Sequence, residues 1–353
     1  MTTLLDTLDR LTAPGELYEV VDEAGQKIRC YACAHRCLLK AGRRGICQVR
    51  YNDGGVLRVP FGYVAALQVD PTEKKPFYHF LPGSLALSFG MLGCDLHCPY
   101  CQNWDISQLG RDSRAGRDVM QVTADDLVAL ARRHDAQVVA STYNEPLITT
   151  EWAVAVFRRA RAAGLKTVYV SNGNATPEVL EYLRPHLDGY KIDLKTMRDK
   201  NYRELGAVLQ NVLDTIERVH RMGFWLEVVT LIVPGFNDSD AELWDAARFL
   251  AGVSPDIPWH VTAFHPDYKM QQPPRTSVQA VVRAAEIGVE AGLRYVYAGN
   301  VPGSVGEWEN TRCPACGSTL VRRRGFHVLE NRLASTGGTC PACGAAIAGV
   351  WAA

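Results

Sequence analysis

Phe89-Gly90-Met91-Leu92-Gly93-Cys94-Asp95-Leu96-His97-Cys98-Pro99-Tyr100-Cys101 is the stretch on which the reading of this chain turns. It continues a short apolar run, Leu85–Phe89, of the kind that forms a buried strand. A Cys-x3-Cys-x2-Cys loop wraps three corners of a cubane iron-sulfur cluster and leaves one iron without a protein ligand, free to take a small molecule. The spacing alone leaves two other readings open: a zinc site completed by His97 or His35, and an electron-transfer cluster whose fourth cysteine lies elsewhere. Position favours the open cluster, because loops that follow parallel strands form the ligand-binding end of β-α folds.

Outward from this loop, short apolar runs alternate with helical stretches between about Leu85 and Ala298. After Leu85–Phe89 the strand-like runs are Val138–Ser141, Thr167–Val170, Tyr190–Leu194, Leu226–Val233, His260–Phe264 and Tyr295–Ala298. Their β-branched and aromatic content suits strands buried on both faces, as in a parallel sheet. Helix starts lie between them. Thr123-Ala-Asp-Asp is a capping-box-like start with Asp in place of Glu or Gln, Thr176-Pro177 sets an N-cap before a first-turn proline, and Ser239-Asp240 opens another helix. Repeated β-α units imply an α/β core with right-handed crossovers, as an open sheet or a barrel. The expected organisation is an N-terminal module over 1–83, a core over 84–303 and a C-terminal module over 304–353, with Pro302-Gly303-Ser304 as a hinge.

The eleven cysteines fall into groups of four, three and four. Cys313-Pro-Ala-Cys316-Gly and Cys340-Pro-Ala-Cys343-Gly are two near-identical knuckles, the pattern of a four-cysteine zinc ribbon with a structural role. Cys30, Cys33, Cys37 and Cys47 read either as a second zinc site, the preferred reading, or as an auxiliary 4Fe-4S cluster. Residues 26–50 carry seven basic side chains and no acidic ones, read as charge compensation of zinc-bound thiolates rather than a nucleic-acid footprint. Arg322, Arg323 and Arg324 beside the ribbon are read in the same way.

With 38 Lys and Arg against 38 Asp and Glu, no overall basic excess points to nucleic acid. The segment Met1–Gly15 carries Asp6, Asp9 and Arg10 and no apolar run of signal-peptide length, and no run approaches membrane-spanning length. A soluble cytoplasmic protein is the expectation, in keeping with metal-bound rather than disulfide-bonded cysteines.

At the cysteine loop, with Tyr100 as the aromatic before the last Cys, the sequence resembles the radical S-adenosylmethionine (radical SAM) superfamily. Further strings narrow the resemblance to the pyruvate formate-lyase activating enzyme-like branch and, within it, to the radical enzymes of the AmmeMemoRadiSam system. They are Asp70-Pro-Thr-Glu-Lys-Lys-Pro-Phe-Tyr-His-Phe-Leu-Pro-Gly83, Cys101-Gln-Asn-Trp104, Thr142-Tyr-Asn-Glu-Pro146, Lys191-Ile-Asp-Leu-Lys195 and Tyr297-Ala-Gly-Asn-Val-Pro-Gly303.

The resemblance implies a partial TIM-like barrel and a 4Fe-4S cluster on Cys94, Cys98 and Cys101. Bound S-adenosylmethionine is cleaved reductively to a 5′-deoxyadenosyl radical, which takes hydrogen from a protein or metabolite substrate that the sequence does not name. Cofactor contacts are implied for Glu145, where Tyr143-Asn144 replaces the family's two glycines, for Ser171 and Asn172 toward ribose or adenine, and for Lys195 at the methionine carboxylate, with Asp193 orienting a neighbour or a bound cation. The implied partners are a one-electron donor such as ferredoxin or flavodoxin and companions of the Memo and AMMECR types. Bland readings stand beside these: Lys74 and Lys75 as solvated, Trp104 as core packing, Asn144 as a turn residue and His265 as structural. Two competing function classes, a zinc-rich binding module and a plain electron-transfer protein, leave a three-ligand site inside a β-α core unaccounted for.

Overall fold

The computed structural model describes residues 4–352; Met1–Thr3 and Ala353, at the outer ends of the expected first and last modules, lie outside them. An eight-stranded sheet organises the molecule: β1 (Ala66–Pro71), β2 (Leu85–Gly90), β3 (Val138–Ser141), β4 (Lys166–Ser171), β5 (Gly189–Asp193), β6 (Trp225–Ile232), β7 (Trp259–Ala263) and β8 (Val296–Gly299). The strands stand side by side in chain order. β2 to β8 are mutually parallel, with registers such as Val138↔Ala86 and Val228↔Trp259, and β1 runs antiparallel to β2. Because β1 and β8 do not pair, the sheet stays open. The ends of β2 to β8 nevertheless line one cavity, so it is curled into a partial barrel.

Burial on both faces explains the continuous apolar strands: every residue of β3 and β7 is buried. The expected helix starts are all used. Thr123 Oγ1 accepts from Asp126 N (3.1 Å) while Asp126 Oδ2 accepts from Thr123 N (2.9 Å), so aspartate closes the capping box as glutamate would. Thr176 accepts from Val179 N and Ser239 from Glu242 N. The strand absent from the sequence reading is β1, whose half-exposed residues show no clean alternation.

The C-terminal segment folds onto the core instead of hanging from a hinge. Gly303 N donates to Glu309 Oε1 (2.8 Å) and Ser304 N to Val301 O, which makes Pro302–Ser304 a fastened turn. Leu81 N donates to Val350 O and Val350 N to His79 O, both at 2.7 Å, stitching the last residues to the segment that precedes β2. Tyr78, Tyr295 and Tyr297 share an apolar cluster with Leu320, Leu333, Ile347 and Trp351.

Arg323 departs from the surface role expected of it. Its guanidinium is fully buried, 3.5 Å from the equally buried Glu73, and donates to Tyr78 O (2.7 Å) and Thr311 Oγ1 (2.8 Å). In the N-terminal basic run most of the cations also have carboxylate partners, while Arg50 lies within electrostatic reach of Cys30 and Cys47 as well. Lys27, Arg29, Arg36, Arg44 and Arg50 each pair with a carboxylate, the buried Arg50–Glu151 pair at 2.7 Å being the deepest. Asp22 and Glu19 just upstream, and Asp9, Glu151 and Glu178 from farther away in the chain, supply the acidic partners that residues 26–50 lack.

Candidate active site

The strand β2 ends at Gly90, where a side chain would strike Thr142 O at 2.7 Å, so the ends of β2 and β3 approach as closely as only glycine allows. Met91 N donates to Asn144 Oδ1 (3.0 Å), which gives Asn144 a role beyond a turn: it anchors the start of the cysteine loop. The loop then delivers Cys94, Cys98 and Cys101 to a cavity of ≈ 380 Å³. That volume suits a small-molecule site. Tyr100, buried between the last two cysteines, packs edge-on against Phe236 with ring centroids 5.9 Å apart.

The spacing of the sulfurs bears on what they can hold. A single tetrahedral zinc with bonds of about 2.3 Å draws its thiolates to within about 4 Å of one another. Cys313, Cys316, Cys340 and Cys343 meet that condition: all four Sγ atoms lie within 4.8 Å, with Cys313–Cys343 at 3.6 Å and Cys316–Cys340 at 3.8 Å. Among the described residues the triad forms no such set, alone or with His35 or His97. His97 instead lies against Gly206, and His35 Nε2 stands 3.2 Å from Asp95 O. A triad not gathered around one ion is compatible with thiolates that each bind a different iron. Leu96 N donates to Cys94 Sγ (3.4 Å) and Ser107 Oγ lies 3.2 Å from Cys101 Sγ, contacts that stabilise sulfur-centred negative charge. Burial raises the pKa of all three thiols, Cys98 to about 12, so as free groups they are protonated and a bound metal must displace those protons.

Opposite the loop stand the ends of β3, β4 and β5. Tyr143 takes the left-handed conformation, φ 73°, that the family's glycine would adopt freely. Its ring carries Lys75 Nζ at 5.0 Å and its hydroxyl lies 3.3 Å from the same ammonium. The chain thus keeps a glycine-like backbone turn with a bulky residue held by a cation-π contact. Lys75, with its side chain 3% exposed, is fixed by Asp70 (3.1 Å) and lines the cavity, whereas Lys74 is the solvated one of the pair.

Glu145, Ser171 and Asn172 all border the cavity but spend much of their polarity on each other. Glu145 accepts from Ser171 Oγ (2.7 Å), Asn172 N (2.7 Å) and Leu147 N (3.1 Å). Burial, followed by the nearby Asp95 charge, raises its pKa. Asp95 itself, inside the cysteine motif, is fully buried and accepts from Asn172 Nδ2 (2.7 Å) and Asn174 Nδ2 (2.9 Å). The sequence reading missed it, although a charged residue between two clustered cysteines was a visible signal.

Asp193 binds Lys191 Nζ through one oxygen and Lys195 Nζ (3.2 Å) through the other. Burial alone would raise its pKa, but the two ammonium groups more than cancel that and hold the carboxyl at about 2. Lys195 remains a cation beside Cys98, while burial lowers the pKa of Lys191. Two further expectations find different places. Trp104 stacks on Tyr268, centroids 5.1 Å apart, at the partly exposed edge of the loop, not in the core. His265 is exposed with its ring 2.8 Å from the Gln102 amide.

Comparison with known proteins agrees with this geometry. The profile of the Radical SAM superfamily matches residues 90–250, from the end of β2 onward. An uncharacterized protein of Methanocaldococcus jannaschii is 37% identical over 329 residues, covering 93% of this chain and 96% of that protein. An isethionate sulfite-lyase activating enzyme of Desulfovibrio desulfuricans is 26% identical over 176 residues, 49% of this chain and 55% of the enzyme. A pyruvate formate-lyase-activating enzyme of Staphylococcus epidermidis is 24% identical over 186 residues, 49% of this chain and 72% of the enzyme. With three cysteines of one loop opening on a cavity at the ends of a parallel sheet, this chain is an enzyme of the radical SAM superfamily, of the kind related to pyruvate formate-lyase activating enzymes, with a 4Fe-4S cluster and S-adenosylmethionine as cofactors.

Proposed function

We propose that Cys94, Cys98 and Cys101 hold three irons of the cluster, and that the cavity behind them positions S-adenosylmethionine and a hydrogen-donating substrate together. The observation that carries this reading is the triad itself: three thiols on one loop, not gathered as around a single ion, facing a cavity built from the ends of all seven parallel strands. When bound, the cluster supplies one electron that cleaves S-adenosylmethionine to methionine and a 5′-deoxyadenosyl radical. The chain's own groups orient and shield. Lys195, a fixed cation beside Cys98, is the group to neutralise the methionine carboxylate, and Asp193 holds that ammonium in place. Glu145, braced by Ser171 and Asn172, presents its carboxylate at the cavity wall toward the methionine ammonium. Apolar walls from Val170, Val229 and Leu231 keep water from the reacting atoms.

Electrons come from a reductant such as ferredoxin or flavodoxin. The names of the two activating-enzyme relatives favour hydrogen abstraction from a protein, and the resemblance of the terminal motifs favours companions of the Memo and AMMECR types. The four C-terminal cysteines take zinc and build structure. No helix among the described residues is long and apolar enough to cross a membrane, and a cytoplasmic location is part of the proposal.

The test is anaerobic electron paramagnetic resonance of the reduced protein with and without S-adenosylmethionine, paired with detection of 5′-deoxyadenosine. A 4Fe-4S signal that shifts on addition, with the nucleoside formed, supports the reading. A signal indifferent to S-adenosylmethionine, or no nucleoside, overturns it in favour of an electron-transfer protein.

A further inference from the structure

At the N-terminal cysteines the sequence favours zinc slightly over a cluster, and their placement in the fold supports the cluster. Cys30, Cys33 and Cys47 are buried and Cys37 is partly exposed, and all are free thiols. They converge on one place. The Cβ position of Gly45 lies 3.6 Å from Cys37 Sγ and 3.8 Å from Cys47 Sγ, Cys30 N donates to Cys37 O (3.0 Å), and Cys30 is within electrostatic reach of the other three thiols. Yet among the described residues no three of them bring their sulfurs within 4.8 Å of one another. The C-terminal group of the same chain does, with all four. One chain therefore holds two four-cysteine groups that differ: one drawn in as around a single ion, the other not gathered that tightly, which leaves room for a cluster whose thiolates each meet a different metal atom.

The surroundings point the same way. The N-terminal group shares a wall with the triad loop. Cys47 O lies 2.9 Å from the Cβ position of Gly93, the residue before Cys94. Arg111 ties the two loops together, donating to Leu96 O (2.7 Å) from one nitrogen and to Ile46 O (2.6 Å) from another. Ala34 N donates to Asn174 O (2.9 Å), and Asn174 is itself bonded to Asp95 in the triad loop. This contact sets the N-terminal group directly against the triad loop, the place from which a second redox centre can pass an electron to the first.

We propose that Cys30, Cys33, Cys37 and Cys47 hold a second 4Fe-4S cluster, fully ligated by the protein, beside the open one. It passes a single electron inward with no atom transferred. The proposal stands apart from the function assigned to the triad, and one experiment separates them.

The full-length C94A/C98A/C101A variant is purified anaerobically from cells supplied with both iron and zinc, and its iron, sulfide, zinc and reduced paramagnetic spectrum are measured beside wild type. About four irons and four sulfides with about one zinc per variant chain, and a cluster signal unmoved by S-adenosylmethionine, support the second cluster. About two zincs with no sulfide-bound iron overturn it. If the variant does not fold, wild type alone decides: about eight irons and one zinc support the proposal, and about four irons and two zincs overturn it. Should wild type make no 5′-deoxyadenosine while the variant keeps its cluster, the function assigned to the triad fails and this proposal stands.

Discussion

Two cysteine-rich regions of this molecule solve opposite problems. In the C-terminal ribbon, two Cys-x2-Cys-Gly turns bring four sulfurs within 4.8 Å, with Cys316 and Cys343 exposed to solvent. In the loop after β2, three sulfurs that are not gathered as around a single ion face a cavity and are pushed toward the protonated state by burial. The first arrangement is closed: every ligand position is filled and the metal can only staple the fold. The second is deliberately short of a ligand and invests its surroundings in a guest. Spacing in sequence is similar in the two regions, and what separates them is what lies behind the sulfurs.

The comparison is broken most directly at the triad. Replacing Cys94, Cys98 and Cys101 with Ala is expected to lower 5′-deoxyadenosine formation on the order of 10³-fold or more, because they form one ligand unit. The zinc content of the C-terminal ribbon should be unchanged. Loss of that zinc along with activity would mean that the two regions are not independent.

The reverse test removes Arg323, through which the ribbon reaches the core. Arg323→Ala leaves Glu73 buried without its counter-charge, and urea unfolding should show a loss of about 3–5 kcal/mol. The reduced cluster spectrum of the folded fraction should stay as in wild type. A loss below about 1 kcal/mol would show that the ribbon docks by apolar contact alone.

Acid sharpens the same contrast. His79 joins the core to the C-terminal segment, its Nδ1 2.6 Å from Ala348 O and its Nε2 against the Tyr297 hydroxyl. Burial lowers its pKa from 6.5 to about 4. Between those values the unfolded chain binds a proton that the folded chain refuses, so this stability is complete above about pH 6.5 and drains as the pH falls toward 4, by about 3 kcal/mol. Unfolding followed across that range should show the decline, and His79→Gln should flatten it. An equal slope in the variant would place the titration elsewhere.

The smallest effect is expected inside the cavity. Lys195→Ala should raise the concentration of S-adenosylmethionine that half-saturates the spectral shift about tenfold, worth about 1.4 kcal/mol. The iron content should not change. An unchanged half-saturation would remove Lys195 from the cofactor site and leave it as the partner of Asp193.

Much of the fold was legible because the parallel strands are buried on both faces and so read as continuous apolar runs; each of the seven was located to within a residue of its observed ends. The helix caps were legible because they are local, one hydroxyl and the backbone two or three residues on. β1 was not, since a half-exposed edge strand carries neither an apolar run nor a clean alternation. Cavity residues whose partners are distant in sequence were visible only as types. Nothing near Asp95 foretells Asn172 and Asn174, and nothing near Arg323 foretells Glu73.

By itself the sequence determined the identity and spacing of the clustered cysteines, the β-α order of the core and the radical SAM character of the central loop, because these depend on neighbours a few residues apart. Only the tertiary structure decided how far apart the sulfurs stand, which lysine of Lys74 and Lys75 turns inward, and that the ribbon arginine is a core residue. Separation, burial and the pairing of charges depend on segments brought together from across the chain, and a linear pattern carries no record of that distance.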